Sequence, residues 1–203
     1  MAAGDYIDIM RARVRQLLYD EFDPNKTFEW ESDALDVLIG EVVRKISKAS
    51  PYEVKESVTL TASGKNEVSI SSITNLIKII YGEYPVDKDP RKLRNVTVFA
   101  TTATIVTNRR PSGDETAYLY CHKLHSITES SSTLTPDLED ICLLGVAALA
   151  ANTKSRKQIN SVNIGGGRVA GSHLTWAEVT WNKFLSDLAG QTKQRRTQFY
   201  PED

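Results

Sequence analysis

The spacing of the hydrophobic residues changes twice along this chain, and this change constrains the possible folds more than any other feature of the sequence. In residues 5–21, and again from about Asp33 to Lys48, apolar residues recur every three or four positions, as on one face of an α-helix. From Val58 to His122, short segments rich in Val, Ile and Thr alternate with polar residues, as β-strands do. Helical spacing returns from Thr135 to about Asn152 and from about Thr175 to Ala189. The order helix, helix, strands, helix, helix predicts the α+β class.

All the predicted strands, about five or six, lie in one insertion between two pairs of helices. We therefore predict a four-helix bundle with an antiparallel β-rich insertion between helices two and three and an extended C-terminal tail. A chain of 203 residues is long enough for one domain with a sizeable core. We assign residues 1–190 to a single domain, helical at 1–55 and 134–190 and β-rich at 56–125. Residues 191–203 are predicted to form an extended C-terminal arm.

Local signals describe the third helix and the segment after it. Thr135 is predicted to cap this helix and Pro136 to take its first position, with acidic residues in the first turn. Gly145 and several alanines make the helix thin, so a neighbouring helix can approach closely. Residues 153–172 contain three glycines at 165–167 and predict a long linker before the fourth helix.

The overall charge gives no sign of a nucleic-acid-binding surface. Lys and Arg number 25 and Asp and Glu number 26, so the formal net charge is -1. The two cysteines, Cys121 and Cys142, form no CxxC pair, which favours a reducing compartment such as the cytosol. We find no signal-peptide pattern and no apolar run of the roughly 18 residues that a membrane span needs, so we expect no membrane partner.

Cys121, His122 and His125 are the only cluster of residue types that bind metals. A strand places Cys121 and His122 on opposite faces, with Cys121 beside Ala117 and Leu119, so the two cannot both point at one ion. Structural zinc needs four ligands, and only the distant His173 remains. We therefore predict ordinary strand residues and no bound metal.

Two other patterns that could indicate catalysis or cofactor binding are incomplete. The segment NIGGGRVAG at residues 163–171 lacks the GxxxxGK[ST] pattern of a phosphate-binding loop. No GxSxG or comparable signature places a Ser or Cys nucleophile beside a His. We expect no cofactor and no enzymatic activity.

Positive charge is concentrated in one stretch of this otherwise neutral chain. From Ile141 to Ala177 there is no Asp or Glu, whereas Lys154, Arg156, Lys157 and Arg168 are present. These cations could be solvated residues near a helix C-terminus. They could equally contact a polyanion such as DNA, or an acidic surface of a partner protein.

The C-terminal segment combines cations with adjacent aromatic residues. Lys193, Arg195 and Arg196 precede Phe199 and Tyr200. Adjacent aromatic residues gain nothing from exposure to water, so they indicate a segment that becomes ordered on a partner. A disordered terminus is the alternative.

Three stretches of the sequence resemble, in order, the head-tail adaptor (connector) family of tailed bacteriophages. DYIDIMRARVRQLL (5–18) is similar to the first helix of that family, and FEWESDALDVLIGEVVRKI (28–46) is similar to the second. YLYCHKLHSITESSSTLTPDLEDICLLGVAALAA (118–151) resembles a strand, a polar loop and a small-residue helix. The resemblance covers most of the chain, although the β-rich insertion is larger than in the simplest helical adaptors.

This resemblance implies a structural virion protein that assembles in the host cytoplasm and resides in the phage neck. Such adaptors form a ring of about twelve copies under the portal protein, and the ring extends the channel through which DNA passes without sequence readout. The opposite side of the ring binds the next neck or tail protein. The C-terminal tail docks on the portal, which here corresponds to Gln191–Asp203 with Lys193, Arg195, Arg196, Phe199 and Tyr200. The alternatives are another neck or tail-completion protein, a small DNA-binding module, or a hydrolase.

Overall fold

A computed structural model describes residues 5–20, 28–60, 64–160 and 167–196, with side chains except at 157–160, 167–172 and 193–196. The chain divides into two compact units. We call Met1–Ser50 together with His125–Asp203 the helical unit, and Pro51–Leu124 the strand unit. The four helices and the antiparallel sheets of the described residues confirm the α+β class.

The helical unit contains α1 (Tyr6–Leu17), α2 (Ser32–Ala49), α3 (Pro136–Asn160) and α4 (Gly167–Arg196). Because apolar residues recur at helical spacing, each helix has an apolar face that can be buried against the others. All four helices contribute to one buried cluster, whose members include Met10, Val14, Leu35, Val42, Leu138, Val146, Phe184 and Leu188. The helical spacing that predicts α4 places Ala177, Trp181, Phe184 and Leu188 in one apolar stripe, and this is confirmed. Ala177, Phe184 and Leu188 are buried, and Trp181 is partly buried against this cluster.

Polar contacts fix α1 against its neighbours at the edge of this core. Arg11 Nε donates a hydrogen bond to Asp36 Oδ1 of α2 at 2.8 Å. The Tyr6 hydroxyl donates to Glu139 in the first turn of α3. These bonds join segments that are distant in sequence, so they orient α1 as well as anchor it.

The space beside Gly145 on α3 is filled by two side chains. A Cβ atom at this position would lie 2.9 Å from Val42 Cγ1 and 3.0 Å from Phe184 Cδ2. Helix α3 therefore packs against α2 and α4 more closely than a residue with a side chain would allow. This confirms the prediction that the thin helix permits close approach.

Helix α3 is longer than predicted, and the predicted linker at 153–172 is wrong for residues 153–160 and 167–172, which are helical. Residues 161–166 lie outside the described residues. Thr153 Oγ1 donates a hydrogen bond to Leu149 O at 2.9 Å, and Ser155 Oγ donates to Ala151 O at 3.0 Å. These bonds give the two hydroxyl groups partners within the helix. The polar residues at which we predicted the end of the helix are therefore compatible with its continuation.

Helix α4 also extends beyond its predicted end at Ala189. Residues 191–196 are helical, so the prediction of an extended arm is wrong for this part. Thr192 Oγ1 donates to Leu188 O at 3.1 Å and lies 3.2 Å from Ala49 O at the end of α2. This tertiary contact stabilises the last turns of α4, which have no apolar periodicity in the sequence. The arm residues 197–203 lie outside the described residues.

The described residues of the strand unit, 51–60 and 64–124, form seven strands in two antiparallel sheets. They are β1 (Tyr52–Leu60), β2 (Glu67–Ser69), β3 (Leu76–Glu83), β4 (Leu93–Arg94), β5 (Val96–Phe99), β6 (Thr102–Ile105) and β7 (Glu115–Lys123). One sheet has the order β1-β7-β3-β4, and the other has the order β2-β6-β5. Within the region that the sequence predicts to be strand-rich, β5 and β6 form a hairpin of two short strands.

One buried cluster joins the two sheets. Ala117, Leu119 and Cys121 of β7 are fully buried, which confirms their predicted common face. Leu60, Val68, Ile79 and Ile105 come from β1, β2, β3 and β6 and complete the core with Tyr84. Because the strands alternate inward and outward residues, the opposite face of β7 presents Tyr118, Tyr120 and His122.

Candidate functional site

The first predicted set of cations lies in the last turns of α3. Lys154 Nζ donates to Glu29 Oε2 at 2.8 Å, and the Lys154 side chain is 26% exposed. Arg156 is exposed, and Lys157 follows it in the same helix. Of these cations, Lys157 lies in the last turn of α3, where a positive charge interacts favourably with the negative end of the helix dipole. The helix end is therefore one reason for this cation, independent of any partner.

Arg168, the fourth predicted cation, is the second residue of α4. The four cations therefore belong to the ends of two helices and not to one continuous loop as we predicted. The first turn of α4 contains no acidic residue. Contact of these four cations with DNA or with a partner protein stays a prediction.

The predicted portal-binding residues divide into two groups. Lys193, Arg195 and Arg196 belong to the end of α4. Phe199 and Tyr200 lie outside the described residues. Because Thr192 anchors α4 to α2, a segment that binds a partner without disturbing the core would begin after this residue.

The residues with metal-ligand side chains occupy separate environments. Cys121 is buried in the core of the strand unit, and burial raises the pKa of its thiol to about 11. His122, on the opposite face of β7, lies 3.6 Å (Nε2 to Oε1) from Glu53. Burial also raises the pKa of the Cys142 thiol to about 12. Both thiols are therefore protonated near neutral pH and are poor nucleophiles.

His125 connects the loop before α3 to the end of α2. Its Nδ1 lies 3.0 Å from Thr133 O and its Nε2 lies 2.9 Å from Ser50 O. Its backbone N–H donates to Ser47 Oγ at 2.9 Å. The ring is 5% exposed, so these contacts give it a role in holding the loop.

Glu115 is the centre of a polar network at the turn before β7. Its carboxylate accepts hydrogen bonds from the Tyr84 hydroxyl at 2.7 Å, from Ser112 N at 2.9 Å and from Ser112 Oγ at 2.7 Å. Arg109 Nη2 donates a further bond at 3.1 Å. The bonds from Ser112 and Tyr84 lower the pKa of Glu115 to about 2. Burial and the Glu115 carboxylate raise the pKa of Tyr84.

The outward face of the larger sheet carries a cluster of tyrosines. The Tyr120 ring lies 4.5 Å from the Tyr81 ring, and its hydroxyl donates to Glu83 Oε2 at 2.7 Å. Lys55 Nζ lies 3.6 Å above the Tyr118 ring. Burial, followed by the bond to Glu83, raises the pKa of Tyr120 to about 12. These side chains contact one another across β1, β3 and β7.

The β5–β6 hairpin presents an apolar tip that we did not single out from the sequence. Phe99 is 87% exposed and Val98 is 50% exposed. The absence of charged residues between Asn95 and Thr107 is the sequence signal that could have identified this segment. The exposed side chains of Val98 and Phe99 make the end of this hairpin a candidate contact surface.

A pocket of about 260 Å³ in the helical unit is a second feature that the sequence did not reveal. Its apolar walls are formed by Leu17, Leu18, Trp30, Ala151 and Trp176. Trp176 lies beside the apolar stripe that predicted α4 and is 40% exposed. Sequence spacing alone cannot find this pocket, because its walls come from α1, α3, α4 and the segment before α2.

Within the described part of the chain, no three His, Cys, Asp or Glu side chains come together in a way that could hold a metal ion. Among the described helices, none combines the length and apolar character that crossing a bilayer requires. Comparison with protein-family models gives no match, and neither does comparison with curated proteins.

Proposed function

We propose that this chain is a structural ring subunit of a tailed-bacteriophage neck, a head-tail adaptor without enzymatic activity. The observation that carries the proposal is the position of the three stretches that resemble this family. They coincide with α1, with α2, and with the segment from β7 into α3, in the order that the family has them. The two helical stretches supply residues to the core of the helical unit, and so does the part of the third stretch from Leu134 onwards.

The proposal includes a four-helix bundle as the body of the adaptor. Side chains from α1, α2, α3 and α4 share one buried cluster, which supports this arrangement. The strand unit is then the insertion between the second and third helices. Its role in the neck is to enlarge the surface with which one subunit contacts another protein or another copy.

The environments of the reactive side chains support a structural role over a catalytic one. Burial raises the pKa of both thiols, and the His125 ring contacts backbone carbonyls on both sides. Glu115 and Glu83 accept hydrogen bonds from tyrosines of the same unit. These groups stabilise the fold, which is what a scaffold subunit requires of its polar residues.

The proposed partners are the portal protein, the next neck or tail protein, and further copies of this chain in a ring of about twelve. The C-terminal residues Lys193, Arg195, Arg196, Phe199 and Tyr200 are proposed to dock on the portal. The complete ring surrounds the DNA that leaves the capsid, and no cofactor or membrane takes part.

Assembly on the portal tests this proposal. The purified chain at micromolar concentration is expected to sediment as a monomer or small oligomer, because the extended contacts of the arm require the portal. Addition of the portal protein encoded by the same virus is expected to produce a ring that is visible by electron microscopy. A closed ring without the portal, or no association with it, would contradict the proposal.

The cationic helix ends are proposed to face the DNA channel and to contact phosphates without reading bases. DNA carries one charge per roughly 1.7 Å of its axis, so a few cations are sufficient for a diffuse attraction. Replacement of Arg156, Lys157 and Arg168 with Gln leaves the Lys154–Glu29 ion pair intact. This triple variant is expected to leave ring assembly unchanged and to alter DNA retention or ejection. The matched control replaces Lys65, Lys88 and Lys92 of the strand unit with Gln. A failure of the triple variant to assemble would show instead that these cations bind a protein surface.

A further inference from the structure

The β5–β6 hairpin holds Phe99 at a rigid tip. Phe99 pairs with Thr102 across a two-residue turn, in which Ala100 takes the left-handed conformation with φ 51. Ile70 N donates to Thr101 O at 2.9 Å, and Ser69 of β2 pairs with Thr102. The turn is thus connected to a third strand. Because the backbone of the turn is already held by these pairings, its ordering adds little to the entropy lost on binding.

The pocket of the helical unit has the size and polarity that a phenyl ring requires. A dry apolar cavity of about 150 Å³ holds one benzene ring. The pocket of about 260 Å³ can therefore accept the Phe99 ring with room for part of a neighbouring side chain. Lys154 and His173 also line the pocket. The Lys154 ammonium group is paired with Glu29, so an uncharged occupant can enter while this ion pair stays in place.

We propose that Phe99 of one copy inserts into the pocket between Leu17, Trp30 and Trp176 of the next copy. The tip and the pocket are two different surfaces of the chain, so the contact is head-to-tail. Head-to-tail contacts generate rings when the rotation between copies closes, whereas a contact between identical surfaces would end at a dimer. The inference deepens the proposed function and rests on it for the presence of neighbouring copies.

The composition of the hairpin favours a second copy of this chain as the occupant. Residues 95–107 contain no charged side chain. The exposed tip residues Val98 and Phe99 match the apolar walls of the pocket, and burying the uncharged hairpin leaves no ion without a partner. An exposed aromatic side chain opposite a pocket that it fits is the arrangement typical of an interface hot spot.

Disulfide trapping between different copies tests the contact directly and does not require the portal. One preparation carries Phe99→Cys and the other carries Leu17→Cys, and the two are mixed with diamide as the oxidant. The native Cys121 and Cys142 are buried and interfere little. We expect the mixed disulfide to form at least about 10-fold faster than in the control, in which Thr59→Cys replaces Phe99→Cys.

Thr59 is exposed in the same unit, so the control has the same general access to the partner. Equal rates in the two mixtures would overturn the inference. Predominant linkage of Phe99→Cys to itself would also overturn it, because the tips would then meet each other. Predominant linkage of Leu17→Cys to itself would mean that two pockets face each other, and it would likewise overturn the inference.

Ring assembly separates this inference from the adaptor proposal. Phe99→Asp is expected to raise the concentration needed for ring completion on the portal by about 10-fold or more, as loss of an aromatic hot spot does. Phe99→Leu is expected to retain most of the assembly, and Thr97→Asp on the same strand is the charge control. If wild type and Phe99→Asp assemble equally, the contact is wrong and the adaptor proposal stands. If the mixed disulfide forms but no ring appears on the portal, the contact stands and the adaptor proposal fails.

Discussion

The hydrogen bond between Tyr84 and Glu115 connects the core of the strand unit to the turn before β7. Tyr84 is fully buried, and its hydroxyl lies 2.7 Å from Glu115 Oε2. We expect Tyr84→Phe to lower the free energy of unfolding of the strand unit by about 1 kcal/mol, as loss of a buried hydrogen bond does. Hydrogen exchange of residues 115–123 and urea unfolding measure the effect. Tyr118→Phe, on the outward face of the same sheet, is the control, and an equal loss there would contradict the assignment.

The low pKa of Glu115 predicts a pH dependence of stability. Its pKa falls from 4.5 to about 2 in the folded chain because Ser112, Tyr84 and Arg109 stabilise the carboxylate. This stabilisation is fully present above about pH 4.5 and is lost as the pH falls towards 2. We therefore expect the stability difference between wild type and Glu115→Gln to shrink over this interval.

Urea unfolding of both proteins at several pH values between 6 and 2 measures this difference. Comparison with the Gln variant removes the contribution of the other carboxylates, because they titrate in both proteins. A difference that stays constant with pH would mean that the network does not favour the ionised form of Glu115.

At the scale of the helices, Gly145 is the position where α3 meets both α2 and α4. Gly145→Ala would place a Cβ atom 2.9 Å from Val42 and 3.0 Å from Phe184. Overpacking typically lowers the free energy of unfolding by about 1–3 kcal/mol, whereas the better helix propensity of Ala raises it by about 1 kcal/mol. We expect a net loss of up to about 2 kcal/mol.

Gly40 of α2 is the matched control, because no atom lies within 4 Å of a Cβ built there. Gly40→Ala should therefore stabilise the protein by up to about 1 kcal/mol. Trp30, Trp176 and Trp181 all lie in the helical unit, so tryptophan fluorescence during urea unfolding reports on both variants. Equal effects of the two substitutions would show that the close approach at Gly145 has no energetic consequence.

At the scale of the whole molecule, the C-terminal residues separate folding from partner binding. Deletion of 197–203 leaves Thr192 and its contact with Ala49 in place, so we expect unchanged stability and loss of portal docking. Aromatic anchors such as Phe199 and Tyr200 contribute about 2 kcal/mol or more each when they fill a partner pocket. Sedimentation with the portal measures docking, and thermal unfolding measures stability.

Two further variants identify which part of the terminus binds. Deletion of 191–203 also removes Thr192, and we expect it to lower stability by about 1 kcal/mol through the lost hydrogen bonds. The full-length triple variant with Gln at 193, 195 and 196 retains the aromatic residues. Docking that survives deletion of 197–203 but not the triple substitution would place the contact in the helix end instead of the arm.

The spacing of apolar residues was sufficient to locate the central part of each helix and the strand-rich region between them. Met10, Val14, Leu35 and Val42 are buried where the helical period placed them, and Ala117, Leu119 and Cys121 are buried where the alternation placed them. Burial of apolar surface dominates folding, so a segment adopts the period that its apolar residues match. The separation of Cys121 from His122 also followed from the strand period alone.

Only the tertiary structure decided where the helices end and which surfaces are exposed. Helix α3 passes through Thr153 and Ser155 because their hydroxyls bond to earlier carbonyls, and α4 passes Gln191 because Thr192 contacts α2. The exposure of Phe99 and the pocket beside Trp176 depend on which strands and helices become neighbours. Periodicity records the preference of one segment for a buried face, but it does not identify the segments that cover that face.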